Sequence, residues 1–167
     1  MIELILARHA KSDWGHPGLA DHDRPLDARG QRDAPAMADR LARSGAVVEQ
    51  SSIEQILSST AVRARTTAAH FGEALSVGIE LDPSLYLASG DALLERAAAT
   101  GLDSVLVVAH DPGLSELAFR LSRGGIMRMP TCAVARFSWD EDDWSAAGAR
   151  SADRWSFDSP RGGSASG

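Results

Sequence analysis

The apolar segment MIELILA at residues 1–7 runs directly into Arg8-His9. An Ile- and Leu-rich run of this length predicts a buried β-strand. A second apolar segment, SVLVVA at residues 104–109, runs into His110 and is followed by a helical pattern. Alternating strands and helices form open sheets, which bind their ligands at the carboxyl ends of the strands. The two segments therefore predict that Arg8, His9 and His110 meet at one edge of a sheet.

The rest of the chain continues this alternation of strands and helices. A first helix, ending near Gly45, begins either near Asp27, with a kink at Pro35, or near Asp33. The fold class that we predict is α/β, a three-layer sandwich with a mainly parallel sheet and helices on both faces. The last two strands are expected to pair antiparallel at an edge. Apolar periodicity predicts the remaining helices over 61–75, 92–100 and 113–121, and the remaining strands over 53–58, 77–81, 131–139 and 154–157.

Size and composition indicate one globular domain. The chain has 167 residues, of which 44% are hydrophobic and 24% charged, which fits a single buried core. We assign this domain to residues 1–158. The small, polar, Gly- and Ser-rich segment 159–167 is expected to be a flexible tail.

Charge and hydropathy also limit the partners. The net charge is −6 and no Lys/Arg run is present, so nucleic acid is not an expected partner. No apolar stretch reaches the roughly eighteen residues of a membrane span, and the amino terminus enters a strand too early for a signal peptide. We therefore expect a cytoplasmic protein with no membrane partner. Cys132 is the sole cysteine, which excludes an intrachain disulfide, and its apolar surroundings predict a buried, inert thiol.

A third polar segment lies between the two histidine-bearing strands. Residues 58–60, Ser-Ser-Thr, are suited to cap the helix that follows them. Arg63 then falls in the first turn of that helix, where the helix dipole disfavours a cation unless an anion sits between the two. Arg65 is two positions further on, so only one of the two arginines can face a pocket. The other arginine is expected to be solvated.

Together these residues restrict the chemistry. Guanidinium groups from Arg8 and Arg63 match the oxygens of a phosphoryl group, and their charge lowers the pKa of a nearby imidazole. A neutral His9 or His110 is a nucleophile, and phosphoryl transfer from a well-positioned phosphorus atom needs no metal. The alternative is a zinc site formed by both histidines and a carboxylate. Two arginines at the same place would repel that cation.

These segments resemble a known family. Arg8-His9-Ala10, residues 59–68 and residues 110–117 are similar to the signature segments of the histidine phosphatase superfamily, which has the phosphoglycerate-mutase-like fold. Residues 23–30 and 85–89 further resemble the SixA-type phosphohistidine phosphatases within it. The likeness runs from Met1 to about Trp139.

The resemblance implies roles for four residues. His9 would be the nucleophile that forms a phosphohistidine intermediate. Arg8 and Arg63 would clamp the phosphoryl group, and His110 would complete the pocket as a hydrogen-bond donor.

Three positions depart from the family pattern. Ala10 replaces a common glycine, which matters only if the backbone there needs a positive φ. Gly15 replaces an asparagine that is usual in the mutases, and the insertion that carries their acidic glutamate is absent, which argues against a mutase. Asp111 replaces the asparagine that is usual in SixA-type proteins. It is either a proton donor, as in the larger acid phosphatases, or the N-cap of the following helix.

The unpatterned segment 11–27 follows the first strand, and a loop of this length is more often functional than a spacer. From it we assign Ser12 and Arg24 to substrate binding, together with Tyr86 as a pocket wall. Arg24 has an alternative role, which is to order the loop through Asp21 or Asp23. Arg29 has the same two alternative roles as Arg24. His16 and His22 are expected to be solvated or to lie at the pocket mouth. His70 is expected to have a structural role.

The function that we predict is a metal-independent phosphatase that uses no cofactor and works through a covalent phosphohistidine. The expected partner is a phosphohistidine-bearing protein, because a compact chain with few insertions leaves a shallow site. The alternative is a phosphatase of small phosphomonoesters with the same site. A non-catalytic phosphate-binding module is a third hypothesis, which the intact set of two arginines and two histidines disfavours.

Overall fold

The structure is a computed structural model that describes residues 1–47, 52–162 and 165–167. Two short 3-10 helices lie at Asp21–Asp23 and Pro83–Leu85. The α-helices are α1 (Ala28–Val47), α2 (Val62–Leu75), α3 (Gly90–Ala98), α4 (Gly113–Leu121) and α5 (Ser145–Ala149). The strands are β1 (Ile2–Arg8), β2 (Gln55–Ser58), β3 (Ile79–Leu81), β4 (Ser104–Ala109), β5 (Val134–Trp139), β6 (Arg154–Asp158) and β7 (Ala165–Ser166).

The strands form one sheet in the order β3-β2-β4-β1-β5-β6-β7. The first four of these are parallel to one another, whereas β5 is antiparallel to β1, β6 to β5, and β7 to β6. The predicted antiparallel pairing of the late strands is confirmed. The prediction of a mainly parallel sheet is wrong, because the sheet is mixed.

The reversal at β5 has a local cause. A helix that follows a strand normally returns the chain to the end of the sheet where that strand began, so the next strand runs parallel to it. Here residues 122–133, which contain no helix, follow α4 and bring the chain back beside the end of β1. The Cys132 N–H bonds to the His9 carbonyl at 3.1 Å, and Ala7 is paired with Val134. Strand β5 therefore starts beside the carboxyl end of β1 and runs antiparallel to it.

The sheet is packed on both faces, as predicted for a three-layer sandwich. Along β1, Leu4 and Leu6 belong to one buried cluster while Ile5 and Ala7 belong to the other. This alternation follows from the two-residue period of a strand. The first cluster includes side chains of α3, α4 and α5, and the second includes side chains of α1 and α2.

Helix α1 begins at the earlier of the two predicted positions and includes Pro35. The Asp27 carboxylate accepts the Gly30 N–H at 2.8 Å and stabilises this start. The helix continues to Val47, two residues beyond the predicted stop at Gly45. Helix α5 was not predicted, because five small residues carry no apolar period.

The flexible tail predicted over residues 159–167 includes 163–164, which lie outside the described residues, and the described end of this segment contains a strand. Its flexibility stays a prediction. Ala165–Ser166 forms β7, and the Trp155 and Gly167 backbones exchange two hydrogen bonds of 2.8 and 3.0 Å. Backbone pairing needs no apolar side chain, so the composition of this segment did not reveal it.

Cys132 is buried, as predicted, and burial raises the pKa of its thiol to about 12. Within the described ranges, no helix has the length and apolar character needed to cross a membrane.

Candidate active site

The register of the parallel strands brings three polar segments together. Strand β4 lies between β1 and β2, with Arg8 paired to Ala109 and Ser58 paired to Val108. The residues that follow these three strands, His9, Ser59 and His110, therefore lie at one edge of the sheet. This is the arrangement that the sequence predicts for both histidines.

His9 has a defined tautomer when neutral. Its Nδ1 is 2.7 Å from the Ala10 carbonyl oxygen, which can only accept a hydrogen bond. The ring proton is therefore on Nδ1, and Nε2 carries the lone pair. Arg63 donates its Nε–H to this Nε2 at 3.3 Å. The lone pair thus points toward a guanidinium group.

The surroundings of His9 keep its imidazole neutral. The ring is 7% exposed, and burial is the main reason that its pKa falls from 6.5 to about 3. The neighbouring His110, Arg63 and Arg8 lower the pKa further, while the hydrogen bond to the Ala10 carbonyl opposes the shift. At pH 7 His9 is therefore a free base.

Arg63 is the second residue of α2 and its side chain is buried. Its two terminal nitrogens donate to Asp21, one to the backbone carbonyl at 2.6 Å and one to the carboxylate at 2.9 Å. Arg65 is exposed to solvent. As predicted from their spacing on the helix, one of the two arginines faces the site and the other faces solvent.

Thr67 fixes α2 relative to the end of β1. Its hydroxyl donates to the Arg63 carbonyl at 2.7 Å and accepts the Ala10 N–H at 3.0 Å. Ala10 is buried and is not among the positive-φ residues of the described chain. Alanine in place of the family's glycine is therefore accommodated.

His110 lies beside His9, with ring centroids 5.1 Å apart. Its Nε2 and the Ser59 hydroxyl are 2.7 Å apart, and burial followed by the charge of Arg63 lowers the pKa of His110 to about 4. Its buried Nδ1 has no hydrogen-bond partner among the described residues. If Ser59 donates to Nε2, the ring proton is on Nδ1, a buried donor that a phosphoryl oxygen would satisfy.

Arg8 is held at the carboxyl end of β1 by two oxygen acceptors. One terminal nitrogen donates to the Met129 carbonyl at 2.9 Å and lies 3.2 Å from the Asp111 carboxylate. Its Nε is buried and has no partner within the described part of the chain. The side chain therefore keeps a buried donor free.

Asp111 has the contacts of a helix cap. Its carboxylate accepts the Ser115 N–H at 3.1 Å and the Ser115 hydroxyl at 2.8 Å, and it also pairs with Arg8. The N-cap position itself is Pro112, so Asp111 caps the first turn of α4 from the residue before it. Both the capping role and the proton-donor role of Asp111 stay predictions.

Asp21 connects several residues of the site and was missed as a site residue by the sequence reasoning. Besides Arg63, its carboxylate accepts from Arg24 at 3.0 and 3.1 Å and from the Tyr86 hydroxyl at 2.5 Å. Tyr86 foremost, then Arg24 and Arg63, hold the pKa of this carboxyl well below its usual range. One indication of its role was present in the sequence, the expected contact between Asp21 and Arg24, and this contact is confirmed.

Ser12 and Arg24 are buried within the loop that carries Asp21. Arg24 donates to the Ser12 hydroxyl at 2.5 Å, and its guanidinium stacks 3.5 Å from the Trp14 ring centroid. Each guanidinium nitrogen of Arg24 bonds to Ser12 or Asp21, which are the contacts of its loop-ordering alternative. Substrate binding by Ser12 and Arg24 stays a prediction.

The remaining predicted residues lie around this centre. The rings of Tyr86 and His110 pack edge to face with their centroids 5.4 Å apart, as expected for a pocket wall. The hydrogen bond to Asp21 raises the pKa of the Tyr86 hydroxyl. The rings of His22 and Tyr86 have centroids 5.0 Å apart, and His22 Nε2 lies 2.8 Å from the Thr60 hydroxyl. His16 is exposed to solvent. No three His, Cys, Asp or Glu side chains of the described residues are grouped as metal ligands.

Comparison with known proteins agrees with this geometry. Residues 4–86 match the family described as the histidine phosphatase superfamily, branch 1. The chain belongs to this superfamily. An uncharacterised chloroplastic protein of Arabidopsis thaliana is 30% identical over 157 residues, which cover 86% of this chain and 69% of the relative.

Solved structures place the chain near the SixA group of the superfamily. A candidate phosphohistidine phosphatase SixA from Nakamurella multipartitia is 26% identical with a TM-score of 0.79, over 96% of this chain and 97% of that one. A protein histidine phosphatase SixA complexed with tungstate is 28% identical with a TM-score of 0.67, over 85% of this chain and 92% of that one. The chain is therefore a SixA-like member of a hydrolase superfamily.

Proposed function

We propose that this protein is a metal-independent phosphatase that works through a covalent phosphohistidine at His9 and acts on phosphohistidine carried by a protein. One observation carries the proposal. The Ala10 carbonyl fixes the His9 proton on Nδ1, which leaves an unprotonated Nε2 whose lone pair accepts the Arg63 Nε–H. A phosphoryl group that takes over this hydrogen bond would present phosphorus to the His9 lone pair and its oxygens to the Arg63 guanidinium.

The reaction has two steps. His9 Nε2 attacks phosphorus, an N–P bond forms, and the bond from phosphorus to the leaving group breaks. The imidazole of a phosphohistidine departs neutral when its other ring nitrogen already carries a proton, whereas an alkoxide takes its proton from water. Water then attacks the phosphorus of phospho-His9, the N–P bond breaks, and inorganic phosphate leaves with His9 neutral again. In both steps charge builds on the equatorial oxygens, where the guanidinium groups of Arg63 and Arg8 and the donor of His110 can bind them.

Arg63 must change partners during binding. The nitrogens that would hold phosphoryl oxygens now donate to Asp21. The Asp21 carboxylate is itself an anion with two acceptor oxygens, so it keeps the guanidinium ordered before substrate arrives. The entering phosphoryl group would replace the carboxylate on one or both nitrogens.

Charge supports the proposal that no metal is required. A cation bound by His9 and His110 would lie against Arg63, whose Nε is 3.3 Å from the His9 Nε2 that such a cation needs. Repulsion disfavours this arrangement. The guanidinium groups themselves supply the compensation that a metal supplies in other phosphatases.

Two features support a protein substrate. Both SixA neighbours described above are named for phosphohistidine or protein histidine phosphatases. Exposed apolar side chains also lie close in sequence to site residues: Trp14 and Leu19 in the loop of Asp21, and Leu87 next to Tyr86. Such side chains at the border of a site fit contact with a macromolecular surface.

The test is a comparison of kcat/KM between a phosphohistidine-bearing protein and a panel of alkyl and aryl phosphates, with and without a chelator. We expect the phosphohistidine protein to be the best substrate, with no effect of the chelator. A higher kcat/KM for alkyl phosphates would overturn the substrate assignment. A rate that the chelator abolishes would overturn the metal-independent mechanism. His9→Ala is the control that should remove turnover of every substrate.

A further inference from the structure

A second cavity of about 350 Å³ adjoins the candidate active site and shares Arg8 with it. Its lining includes no carboxylate, although the chain as a whole has a net charge of −6. It does include five cationic side chains, those of Arg8, Lys11, Arg29, Arg128 and Arg161. We refer to it as the cationic cavity.

Carboxylates outside the lining offset only part of this charge. Asp33 lies 2.9 Å from Arg161 and 3.9 Å from Arg29, and Asp111 pairs with Arg8. The ion pairs formed within the described residues include neither Lys11 nor Arg128. The cavity therefore keeps a net positive charge and two cations free to bind an anion.

Arg8 connects the cationic cavity to the reacting centre. It directly precedes His9, and after burial the charges of Arg128 and Arg63 both lower its pKa. Arg128 lines the cationic cavity, whereas Arg63 contacts His9. Arg8 thus lies close to a cation of each site.

We propose that the cationic cavity binds a second anionic group of the substrate, a phosphate or a carboxylate, while the phosphoryl group that is transferred lies at His9. This rests on the proposed function, because it places a phosphoryl group at His9. Guanidinium and ammonium donors are suited to oxyanions of either kind. The hydroxyl of Thr131, which accepts from Arg29 at 3.4 Å, is a further donor in the wall.

The second anion can come from two sources. On a protein, it would be an acidic side chain near the phosphohistidine. On a small molecule, it would be a second phosphate. Both use the same cations, and substrates of matched design distinguish them.

The experiment measures kcat/KM for two matched sets. One set compares phosphohistidine peptides whose neighbouring residues are Glu with peptides in which they are Gln. The other compares alkanediol bisphosphates of increasing chain length with the corresponding alkyl monophosphates. The variant is Lys11→Gln/Arg128→Gln, and the control is Arg43→Gln/Arg65→Gln, which removes two exposed arginines elsewhere.

We expect the wild type to favour the more anionic member of at least one set by roughly tenfold, since partly exposed charge pairs each contribute modestly. Lys11→Gln/Arg128→Gln should lower kcat/KM for the more anionic member more than for the less anionic one and so remove this preference, while the control variant retains it. The preference should also fall with added salt. The set that shows it identifies the source of the anion.

Two results would overturn the proposal: equal kcat/KM within both sets, or a preference that survives in Lys11→Gln/Arg128→Gln. Calorimetric binding of the bisphosphates and monophosphates to His9→Ala gives a test that needs no turnover. If the wild type hydrolyses nothing, the proposed function fails. The cationic cavity is then judged by whether His9→Ala binds the bisphosphates more tightly, with equal binding overturning it.

Discussion

Arg63 and Arg65 show how two positions on a helix separate a site residue from a surface residue. Arg63 is buried and bonds to His9 and Asp21, whereas Arg65 is exposed. We predict that Arg63→Lys lowers kcat by roughly two to three orders of magnitude, because one ammonium cannot replace several fixed donors. Arg65→Lys should leave kcat nearly unchanged. Turnover of an aryl phosphate measures both, and the reverse pattern would show that the assignment within this segment is wrong.

Asp111 is expected to act as a cap, and asparagine caps helices about as well as aspartate. We predict that Asp111→Asn changes kcat by only a few-fold, and by the same factor for alkyl phosphates, aryl phosphates and phosphohistidine. A proton donor would instead matter most for alkyl phosphates, whose alkoxide is a poor leaving group. A selective loss with alkyl phosphates would therefore restore the donor role. Large and equal losses would point to a role through Arg8 or His110.

The sequence predicted that four side chains meet at one place in the fold, as they do in the structure, because each has a simple positional signal. Arg8, His9 and His110 follow buried strands, and Arg63 lies at a helix start that disfavours a cation. Asp21 and Ser59 carry no such signal. Asp21 enters the site only through the folding of the loop. Ser59 was predicted only as one of three candidate caps of α2, and that prediction is wrong, because the N-cap residue is Ala61 and, among the backbone N–H groups at the start of α2, Ser59 accepts only that of Ala61 itself.

The loop at residues 11–27 and helix α1 are held together by a close backbone approach. A Cβ on Gly30 would lie 2.1 Å from the Lys11 carbonyl oxygen, which accepts the Asp27 N–H. We predict that Gly30→Ala lowers the free energy of unfolding by about 1–3 kcal/mol, the range of overpacked substitutions. Gly18→Ala, in the same loop, meets no atom within 4 Å and is the control. Urea titration measures both, and equal stabilities would contradict the close approach.

The bounds of strands and helices were predicted well where the apolar period and the length of the segment indicate the same type of element. Strand β4 and helix α4 have the predicted bounds, and β1 differs by one residue at each end. The direction of β5 could not be predicted, since it depends on where the segment 122–133 leads and not on its composition. The same holds for β7, which is held by backbone hydrogen bonds.

The stability of the whole molecule should depend on pH through its two buried imidazoles. The pKa is about 3 for His9 and about 4 for His110, against about 6.5 in an unfolded chain. Between these values the unfolded chain binds protons that the folded protein does not, so stability falls as pH falls. Each histidine contributes up to about 1.4 kcal/mol per pH unit.

Urea titrations at pH 7, 6 and 5 test this dependence above the usual pKa range of carboxyl groups. We expect the free energy of unfolding to decrease with each step, and the decrease to be smaller in His9→Asn/His110→Asn. The slope is compared, so a lower absolute stability of the variant does not matter. An identical slope in the wild type and the variant would show that these imidazoles are not responsible.

The central claim is that His9 carries the phosphoryl group during turnover, and trapping the intermediate tests it most directly. The protein is mixed with a radiolabelled phosphoryl donor, quenched within the first turnovers, and divided between acid and alkali. We predict a label on His9 that survives alkali and is lost in acid, as a phosphoramidate is, and no label in His9→Ala. An acid-stable label, a label on another residue, or full turnover by His9→Ala would contradict the account.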